Sequence, residues 1–285
     1  MARLRDLVDA ARTRLVAAGV PADEAALDAE LLLRDALGWD RATWLSRRDE
    51  PAKPGAAGRF EITLNRRAAR EPMAYIRGVQ EFYGRPFQVR SGVLIPRPET
   101  ELLIGEALTA LAACSAPTVA DIGTGSGCLA VTLALECARV SVVATDISTA
   151  ALAVARANAA DHGVAARIAF VATSLLEGVA GHFDLIVTNP PYVAEVDAPL
   201  LAPEVVAHEP HVALFAGRDG LREVRAIVNT ATSALAPGGS LVMEIGAGQW
   251  PEVRAALAAA GLGTHARVRH DLQGIPRAVV ATRGA

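Results

Sequence analysis

Residues 183–193 read Phe-Asp-Leu-Ile-Val-Thr-Asn-Pro-Pro-Tyr-Val, an apolar run that leads into Asn189, two prolines and an aromatic ring. The run predicts a buried strand that delivers Asn189 to the carboxyl edge of a sheet. Pro190 and Pro191 fix the backbone and lack N–H donors, so the segment offers carbonyl acceptors. The Asn189 side chain and the Pro190 carbonyl suit a planar NH2 group, on which the Tyr192 ring would stack.

This Asn-Pro-Pro-Tyr segment suits transfer of a methyl group to a planar nitrogen. The nitrogen of an amide or of an adenine amino group is a poor nucleophile because its lone pair is delocalised. Holding both of its hydrogens in line with a methyl donor would allow it to react without a strong base. The alternative is that Pro-Pro-Tyr is only a rigid loop after a strand.

A second candidate site lies in residues 119–127, which read Val-Ala-Asp-Ile-Gly-Thr-Gly-Ser-Gly. Glycines at the end of a strand let a ligand lie against the backbone, so the candidate cofactor contacts are Gly123, Thr124, Gly125, Ser126 and Gly127. Asp146 ends the next predicted strand, where a carboxylate can accept both ribose hydroxyls of an adenosine. The G-x-G-x-G spacing favours S-adenosylmethionine over a nicotinamide or flavin cofactor, whose fingerprint is G-x-G-x-x-G, but this motif alone leaves those cofactors and a purely structural turn open.

The elements that must position these motifs follow from the apolar spacing. Residues 1–75 are predicted to be helical, with helices ending near Gly19 and Gly38, a turn-rich stretch over 50–58 and a helix over about 59–70. Residues 76–98 mix aromatic and aliphatic residues with glycine and proline, which indicates a hairpin or extended linker.

Beyond a helix at 101–113, strands and helices alternate, which predicts a parallel sheet covered on both faces. The predicted strands are 119–122, 141–145, 168–172, 185–188 and 240–245, with two short strand-like runs near 265–268 and 278–282. The predicted helices are 128–135, 149–158, 221–235 and 253–260. The fold class is therefore α/β with a small helical bundle at the start of the chain.

Composition excludes several classes of protein. The chain has 285 residues, 52% hydrophobic and 21% charged, and a net charge of −3, as in ordinary globular proteins. Residues 101–285 carry 17 acidic and 11 basic residues, which argues against direct binding of nucleic acid. No signal peptide or membrane span is evident, and neither the three cysteines nor the six histidines have metal-ligand spacing. We therefore expect a cytoplasmic protein without a metal.

Two further segments complete a family resemblance: Gly92-Val-Leu-Ile-Pro-Arg-Pro-Glu-Thr-Glu101 and Glu209-Pro-His-Val-Ala-Leu-Phe-Ala-Gly-Arg-Asp-Gly-Leu221. With the Asn-Pro-Pro-Tyr segment and the glycine loop, they make the chain resemble class I S-adenosylmethionine-dependent methyltransferases of the N5-glutamine type. More narrowly, it resembles the peptide-chain release-factor glutamine methyltransferases. The resemblance implies a Rossmann-like sheet and three parts: a helical substrate-docking domain at 1–75, a hairpin linker at 76–98 and a methyltransferase domain at 99–285.

The resemblance also implies the substrate and the roles of the site residues. The substrate is the glutamine of the Gly-Gly-Gln motif in class 1 release factors, and S-adenosylmethionine is the methyl donor. Asn189, Pro190 and Tyr192 are the implied catalytic residues, and Pro191 joins them in binding the glutamine. The implied cofactor contacts are Gly123, Thr124, Gly125, Ser126, Gly127, Asp146, Ser174 and Asn189. The stretch 173–176 departs from the family, because Ser174 or Leu175 stands where an acidic residue and an aromatic often pack near the adenine.

Several alternatives stay open at this point. Adenine-N6 methyltransferases share Asn-Pro-Pro-Tyr, as do the ribosomal-protein glutamine methyltransferases, and a binding module could keep the fold without the chemistry. Arg97 and Glu99 could lie over the donor or guide the substrate, or they could latch two domains together. We expect a monomer that contacts protein substrates rather than nucleic acid or membranes.

Overall fold

The computed structural model describes residues 3–52 and 54–284, which form two compact units. One unit falls within Met1–Gly78 and Ala202–His208, and the other within Val79–Leu201 and Glu209–Ala285. Among the described residues, no helix is both long enough and apolar enough to cross a membrane.

The first unit is a helical bundle. Its helices before residue 79 are α1 (Leu4–Ala17), α2 (Ala22–Leu37), α3 (Arg41–Arg47), α4 (Pro54–Ala68) and α5 (Met73–Arg77). Their apolar faces meet in one core that includes Leu15, Leu33, Trp44, Phe60 and Leu64, all buried. The predicted helical start of the chain is confirmed.

Two boundaries in this unit differ from the sequence prediction. Helix α3 was not predicted, because seven residues are too few to show a helical period; it begins where the Asp40 carboxylate accepts the N–H of Thr43 at 2.8 Å. Helix α4 begins at Pro54 rather than near residue 59. Proline suits a first helical turn, and Gly55 and Gly58, which suggested a loop, lie inside the helix.

A buried arginine ties the second segment of this unit to the bundle. The Arg67 side chain, only 4% exposed, lies 2.7 Å from Asp28 and 3.5 Å from Glu204. Arg70 also forms an ion pair with Glu204. Removing one member of a buried ion pair leaves an uncompensated charge, so these contacts define where the segment lies within the unit.

The second unit begins with a hairpin, as the sequence predicts. Strands β1 (Val79–Phe82) and β2 (Arg85–Gln88) pair antiparallel. Tyr83 and Gly84 form the turn with φ values of 52° and 71°, the left-handed pair that matches the twist of two adjacent strands.

A seven-stranded sheet follows, in the order β5-β4-β3-β6-β7-β9-β8. Its strands are β3 (Thr118–Ile122), β4 (Ser141–Asp146), β5 (Ile168–Ala172), β6 (Phe183–Thr188), β7 (Leu235–Glu244), β8 (Arg267–His270) and β9 (Pro276–Thr282). The remaining helices are α6 (Glu101–Leu111), α7 (Cys128–Glu136), α8 (Thr149–Asp161), α9 (Pro203–His208, in the first unit), α10 (Arg222–Ala234) and α11 (Trp250–Ala259).

The sheet is mixed rather than wholly parallel, so that part of the prediction was wrong. Strands β3 to β7 pair in parallel, whereas β9 is antiparallel to both β7 and β8. Only a short turn joins β8 to β9, in which the N–H of Asp271 donates to the carbonyl of Ile275 at 2.9 Å. A connection this short allows only antiparallel pairing, because parallel strands need a crossover of a dozen residues or more.

Apolar cores cover both faces of the sheet. Residues of α6, α7 and α8 pack with Val119 and Leu185 on one face, and residues of α10 and α11 pack with Ala120 and Ile186 on the other. The chain order reverses between β3 and β6, and ligands of such sheets bind in the crevice outside the carboxyl ends at that reversal.

Candidate active site

A cavity of about 310 Å³ lies where β3 and β6 end side by side. The hydroxyl of Thr188 at the end of β6 donates to the carbonyl of Ile122 at the end of β3, 2.8 Å away. Nine of the predicted site residues line the cavity: Gly123, Thr124, Gly125, Ser126, Asp146, Ser174, Asn189, Pro190 and Pro191. Gly127 and Tyr192 are not among its lining residues.

Backbone hydrogen bonds shape the glycine loop. The N–H groups of Gly123 and Thr124 both donate to the carbonyl of Thr145, each at 2.9 Å. Gly123 and Gly125 have φ values of 71° and 55°, a region that most side chains avoid. The loop therefore closes tightly onto β4 while its glycines leave the cavity open.

Gly127 serves the packing of two helices, and it is not among the residues that line the cavity. It is the residue before α7, with a φ of 81°. A Cβ atom there would lie 3.0 Å from the Cβ of Ala155 in α8. The absence of a side chain thus lets α7 begin against α8.

Asp146 lies at the end of β4, facing the cavity. Its Oδ2 accepts the N–H of Gly125 at 2.9 Å, and its Oδ1 accepts the N–H of Ser148 at 2.8 Å. Each carboxylate oxygen has a second lone pair. The carboxylate is thus held in place by two backbone donors and can still accept hydroxyl groups from a ligand.

Asp121, which the sequence analysis did not select, lies fully buried beneath the glycine loop. Its Oδ2 accepts the hydroxyl of Thr124 at 2.6 Å and the N–H of Ala130 at 3.2 Å. Its Oδ1 and the hydroxyl of the cavity-lining Thr145 have no hydrogen-bond partner among the described residues. Burial, with the nearby charge of Asp146, raises the pKa of Asp121 to about 7.

Asn189 is held through one end of its side chain. Its Nδ2 donates to the hydroxyl of Thr100 at 2.9 Å, and that hydroxyl donates to Oε2 of Glu244 at 2.6 Å. Its Oδ1 has no hydrogen-bond partner among the described residues. Burial raises the pKa of Glu244 to about 7, although hydrogen bonds from Thr100 and Tyr192 oppose this.

The end of the Asn-Pro-Pro-Tyr segment is held by hydrogen bonds at Tyr192. The Tyr192 hydroxyl donates to Oε1 of Glu244 at 3.2 Å, and the Tyr192 carbonyl accepts from Nε2 of Gln249 at 2.9 Å. A Cβ atom on Gly220 would lie 2.4 Å from that carbonyl, so only glycine fits there. The carbonyl of Pro190 accepts no hydrogen bond from any described residue.

Ser174 and Leu175 line the cavity beyond β5. Leu175 has a φ of 51°, and the carbonyl of Ser174 accepts the N–H of Glu177 at 3.0 Å, so the segment forms a tight turn. Ile147, 61% exposed, also lines the cavity, directly after Asp146. This end of the cavity offers aliphatic surface and no aromatic ring among its lining residues.

Arg97 lies beside the cavity but does not line it. It forms an ion pair with the buried carboxylate of Glu209, whose Oε2 also accepts the N–H of Ile95 at 3.2 Å. Pro96 and Pro210, the neighbours of these two residues, both line the cavity. Arg97 and Glu209 therefore hold two sides of the cavity together inside the second unit.

The sequence does hold a signal for the residues that were missed. Asp121 and Glu244 are single carboxyl groups near the ends of otherwise apolar strands, where a fully buried charge requires a reason. Thr100 lies within the Pro-Arg-Pro-Glu-Thr-Glu segment. In the part of the chain that the structure describes, no cluster of three or more histidine, cysteine or carboxylate side chains is arranged to hold a metal ion.

Comparison with known proteins places this geometry in a family. Residues 6–78 match the family described as PrmC N-terminal domain, and residues 99–217 match the methyltransferase small domain. The chain is 47% identical over 98% of both chains to a release factor glutamine methyltransferase of Cereibacter sphaeroides. It is 43% identical over 99% of both chains to the one of Deinococcus radiodurans.

A solved methyltransferase from Pyrococcus furiosus supports the fold. It aligns with a TM-score of 0.51 at 15% identity, over 81% of this chain and all of that one. The two family matches, residues 6–78 and 99–217, together include the helical bundle, the glycine loop and the Asn-Pro-Pro-Tyr segment. The chain therefore belongs to the release factor glutamine methyltransferase family, and its second unit has the fold of the S-adenosylmethionine-dependent methyltransferases.

Proposed function

We propose that this protein transfers the methyl group of S-adenosylmethionine to the side-chain amide nitrogen of a glutamine in class 1 peptide-chain release factors. The glutamine is that of the Gly-Gly-Gln motif. The observation that carries the proposal is a pair of acceptors, Oδ1 of Asn189 and the carbonyl of Pro190, that no described residue donates to and that lie in the same cavity as the glycine loop. Family membership at 47% identity over nearly the whole chain supports the choice of substrate.

The residues around the glycine loop fit the methyl donor. Asp146 would hold the ribose hydroxyls, and Gly123 to Gly127 form the loop against which the donor would lie. The Thr145 hydroxyl lines the cavity and has no hydrogen-bond partner among the described residues, and a polar group of the donor would satisfy it. Ser174 lies at the aliphatic end of the cavity, which suits the adenine. When bound, S-adenosylmethionine supplies a methyl group activated by its sulfonium charge.

The residues at the other end of the cavity hold the glutamine. Asn189 Oδ1 and the Pro190 carbonyl accept one N–H each from the side-chain amide, which fixes the plane of that group and directs its nitrogen toward the donor. Pro191 keeps the backbone extended, and Tyr192 anchors the segment through Glu244. When the new N–C bond forms, the amide nitrogen gives up one of its two hydrogens as a proton that passes to solvent, and until then acceptors of this segment hold both hydrogens.

The helical bundle completes the proposal. We assign it the docking of the release factor, as a unit separate from the sheet that carries the chemistry. We further propose that the protein acts as a monomer in the cytoplasm, where release factors work on ribosomes, and binds them directly rather than through nucleic acid.

The test is direct methylation. The purified protein is incubated with isotopically labelled S-adenosylmethionine and a class 1 release factor, and peptide mass spectrometry locates the label. We expect one added methyl group on the glutamine of Gly-Gly-Gln. A release factor with that glutamine changed to alanine is the matched control and should stay unlabelled. Label on a ribosomal protein or on an adenine, with none on Gly-Gly-Gln, would contradict the proposal.

A further inference from the structure

A line of three polar side chains runs from the cavity into the buried edge of the sheet. Asn189 Nδ2 donates to the Thr100 hydroxyl, and the Thr100 hydroxyl donates to Glu244. Thr100 and Glu244 are 2% and 1% exposed. The two come from the first turn before α6 and from the end of β7, far apart in sequence from Asn189 and from each other.

The direction of these hydrogen bonds is determined by how many hydrogens each group has. A threonine hydroxyl has one hydrogen, and at 2.6 Å from Oε2 of Glu244 that hydrogen belongs to the carboxylate bond. Toward Asn189 the hydroxyl oxygen can then only accept. The amide NH2 must face Thr100, and Oδ1 must face away from it, toward the cavity.

Shape alone does not favour this orientation. The oxygen and the nitrogen of a carboxamide are nearly equal in size, so rotation by 180° would fit the same space. A rotated Asn189 would present N–H donors to the substrate amide, which also offers N–H donors. The hydrogen bond between Asn189 and Thr100 therefore decides whether the Asn189 side chain accepts an N–H of the substrate amide or repels it.

We propose that Thr100 and Glu244 are positioning residues that fix the Asn189 carboxamide with Oδ1 toward the substrate. The inference rests on the proposed function, because it is there that Oδ1 of Asn189 accepts an N–H of the glutamine. Thr100 acts through Asn189, and Glu244 acts through Thr100. Tyr192 adds a second donor to Glu244, so when Glu244 is ionised both of its carboxylate oxygens accept.

We call the hydrogen-bonded chain of Asn189, Thr100 and Glu244 the relay. The ionisation of Glu244 provides a second way to test it. Burial raises its pKa, the Arg277 charge lowers it and Glu99 raises it, with a result of about 7. Protonated Glu244 would donate to Thr100, and the Thr100 hydrogen would then turn toward Asn189. We expect kcat, measured with both substrates saturating, to fall as the pH drops below about 7.

The experiment compares three variants of the full chain. Thr100→Val removes the hydroxyl and keeps the shape, whereas Thr100→Ser keeps the hydroxyl. Thr132→Val is the matched control, because Thr132 is fully buried in α7, has no hydrogen-bond partner among the described residues and does not line the cavity. Thermal unfolding establishes that each variant is folded, and kcat, KM for the release factor and Kd for the donor are then measured.

We expect Thr100→Val to lose about 10- to 100-fold in kcat, the effect of one hydrogen bond to a group in the site, with donor Kd within about threefold. Thr100→Ser should recover most of kcat, Thr132→Val should match the wild type, and Thr100→Val should lose the fall in kcat below pH 7. Equal losses in Thr100→Val and Thr100→Ser, or an unchanged kcat in Thr100→Val, would overturn the relay.

A readout without turnover separates this inference from the proposed function. The side-chain NH2 signals of Asn189 are identified in a 15N-labelled sample by their loss in Asn189→Ala. In the wild type and in Thr100→Ser, one of these hydrogens should exchange slowly with solvent; in Thr100→Val it should exchange faster. If the wild type fails to methylate Gly-Gly-Gln, the proposed function fails while this measurement still decides the relay. Unchanged exchange in Thr100→Val would overturn the relay whatever the activity.

Discussion

The glycine loop and the Asn-Pro-Pro-Tyr segment follow adjacent parallel strands and line one cavity, but they are held in different ways. The glycine loop is held mostly by its own neighbours in sequence and by the end of the next strand: Asp121, Thr124, Ala130, Thr145 and Asp146. The Asn-Pro-Pro-Tyr segment depends on side chains from distant parts of the chain, namely Thr100, Glu244 and Gln249.

This difference matters for function. Three hydrogen bonds of the glycine loop join backbone to backbone, from Gly123 and Thr124 to Thr145 and from Gly127 to Thr124, so they persist when a side chain changes. A segment held by a buried side-chain network depends on each member, since losing one leaves another unsatisfied. We therefore expect the donor end of the cavity to tolerate substitutions better than the end that would hold the amide.

The largest effect should come from Asn189→Ala. It removes a substrate acceptor and leaves the Thr100 hydroxyl without its donor, so kcat should fall about 100- to 1,000-fold. Binding of the donor, measured by calorimetry, should stay within about threefold of the wild type, because the glycine loop is intact. Equal losses in turnover and in donor binding would show that the two ends are not independent.

Next in size should be Gly220→Ala. A Cβ atom there would lie 2.4 Å from the carbonyl of Tyr192, and φ is 71°. Gly248→Ala is the matched control, because Gly248 has a φ of 82° but no atom of the described residues lies within 4 Å of its Cβ position. The control should lose about 1 kcal/mol of unfolding free energy from backbone strain alone. Gly220→Ala should lose at least about 2 kcal/mol more of unfolding free energy than the control, measured by denaturant unfolding. Similar losses in both variants would show that the contact with the Tyr192 carbonyl does not matter.

Asp146→Ala should have a smaller effect, confined to donor binding. Loss of hydrogen bonds to a charged group should weaken Kd for the donor about 10- to 100-fold. With saturating donor, kcat should recover to within about fivefold of the wild type. Asp146→Asn, which keeps one acceptor oxygen, should lie between the two. A large loss of kcat at saturating donor would contradict the separation of the two ends.

The smallest effect concerns pH, and it tests both ends at once. Asp121 and Glu244 each have a pKa raised by burial to about 7, above their usual values near 4. The folded state therefore binds more protons than the unfolded state, so stability is greatest below about pH 4 for these groups and falls as pH rises to about 7. As the pH rises from 6 to 8, the deprotonation of each group should lower the unfolding free energy by about 1 kcal/mol.

Asp121→Asn and Glu244→Gln should each remove their own share of this fall. Chemical denaturation of the wild type and both variants at pH 6, 7 and 8 measures the slopes. Nearby charges are Asp146 for Asp121, and Arg277 and Glu99 for Glu244, and both variants leave them in place. A slope that persists unchanged in both variants would mean that other groups titrate.

The same contrast explains how much the sequence could predict. The glycine loop was predicted as a whole because its supports lie within a few dozen residues and its glycines are visible as a pattern. Thr100 and Glu244 could not be assigned to Asn189, since only the sheet order brings the end of β7 next to the end of β6. The direction of β9 was also missed, because apolar runs do not distinguish parallel from antiparallel strands.

Helix boundaries followed a similar rule. Most long helices with a regular apolar face were predicted to within a few residues, whereas the start of α4 was placed about five residues too late and α3 is too short to show a period. The predicted role of Gly127 in binding stays a prediction, and the structure adds a second reason for this glycine, since its lack of a side chain serves the packing of α7 on α8. Steric requirements of this kind appear only when a second element is present.

The segment Ala202–His208 has a practical consequence for dividing this protein. Although it follows the Asn-Pro-Pro-Tyr segment in sequence, its Glu204 belongs with Arg67 and Arg70 of the helical bundle. A chain truncated before Val79 would keep Glu204 but lose both of its guanidinium partners. Anyone who seeks a minimal catalytic fragment must therefore remove or redesign this short helix as well, because the unit boundary is crossed three times by one polypeptide.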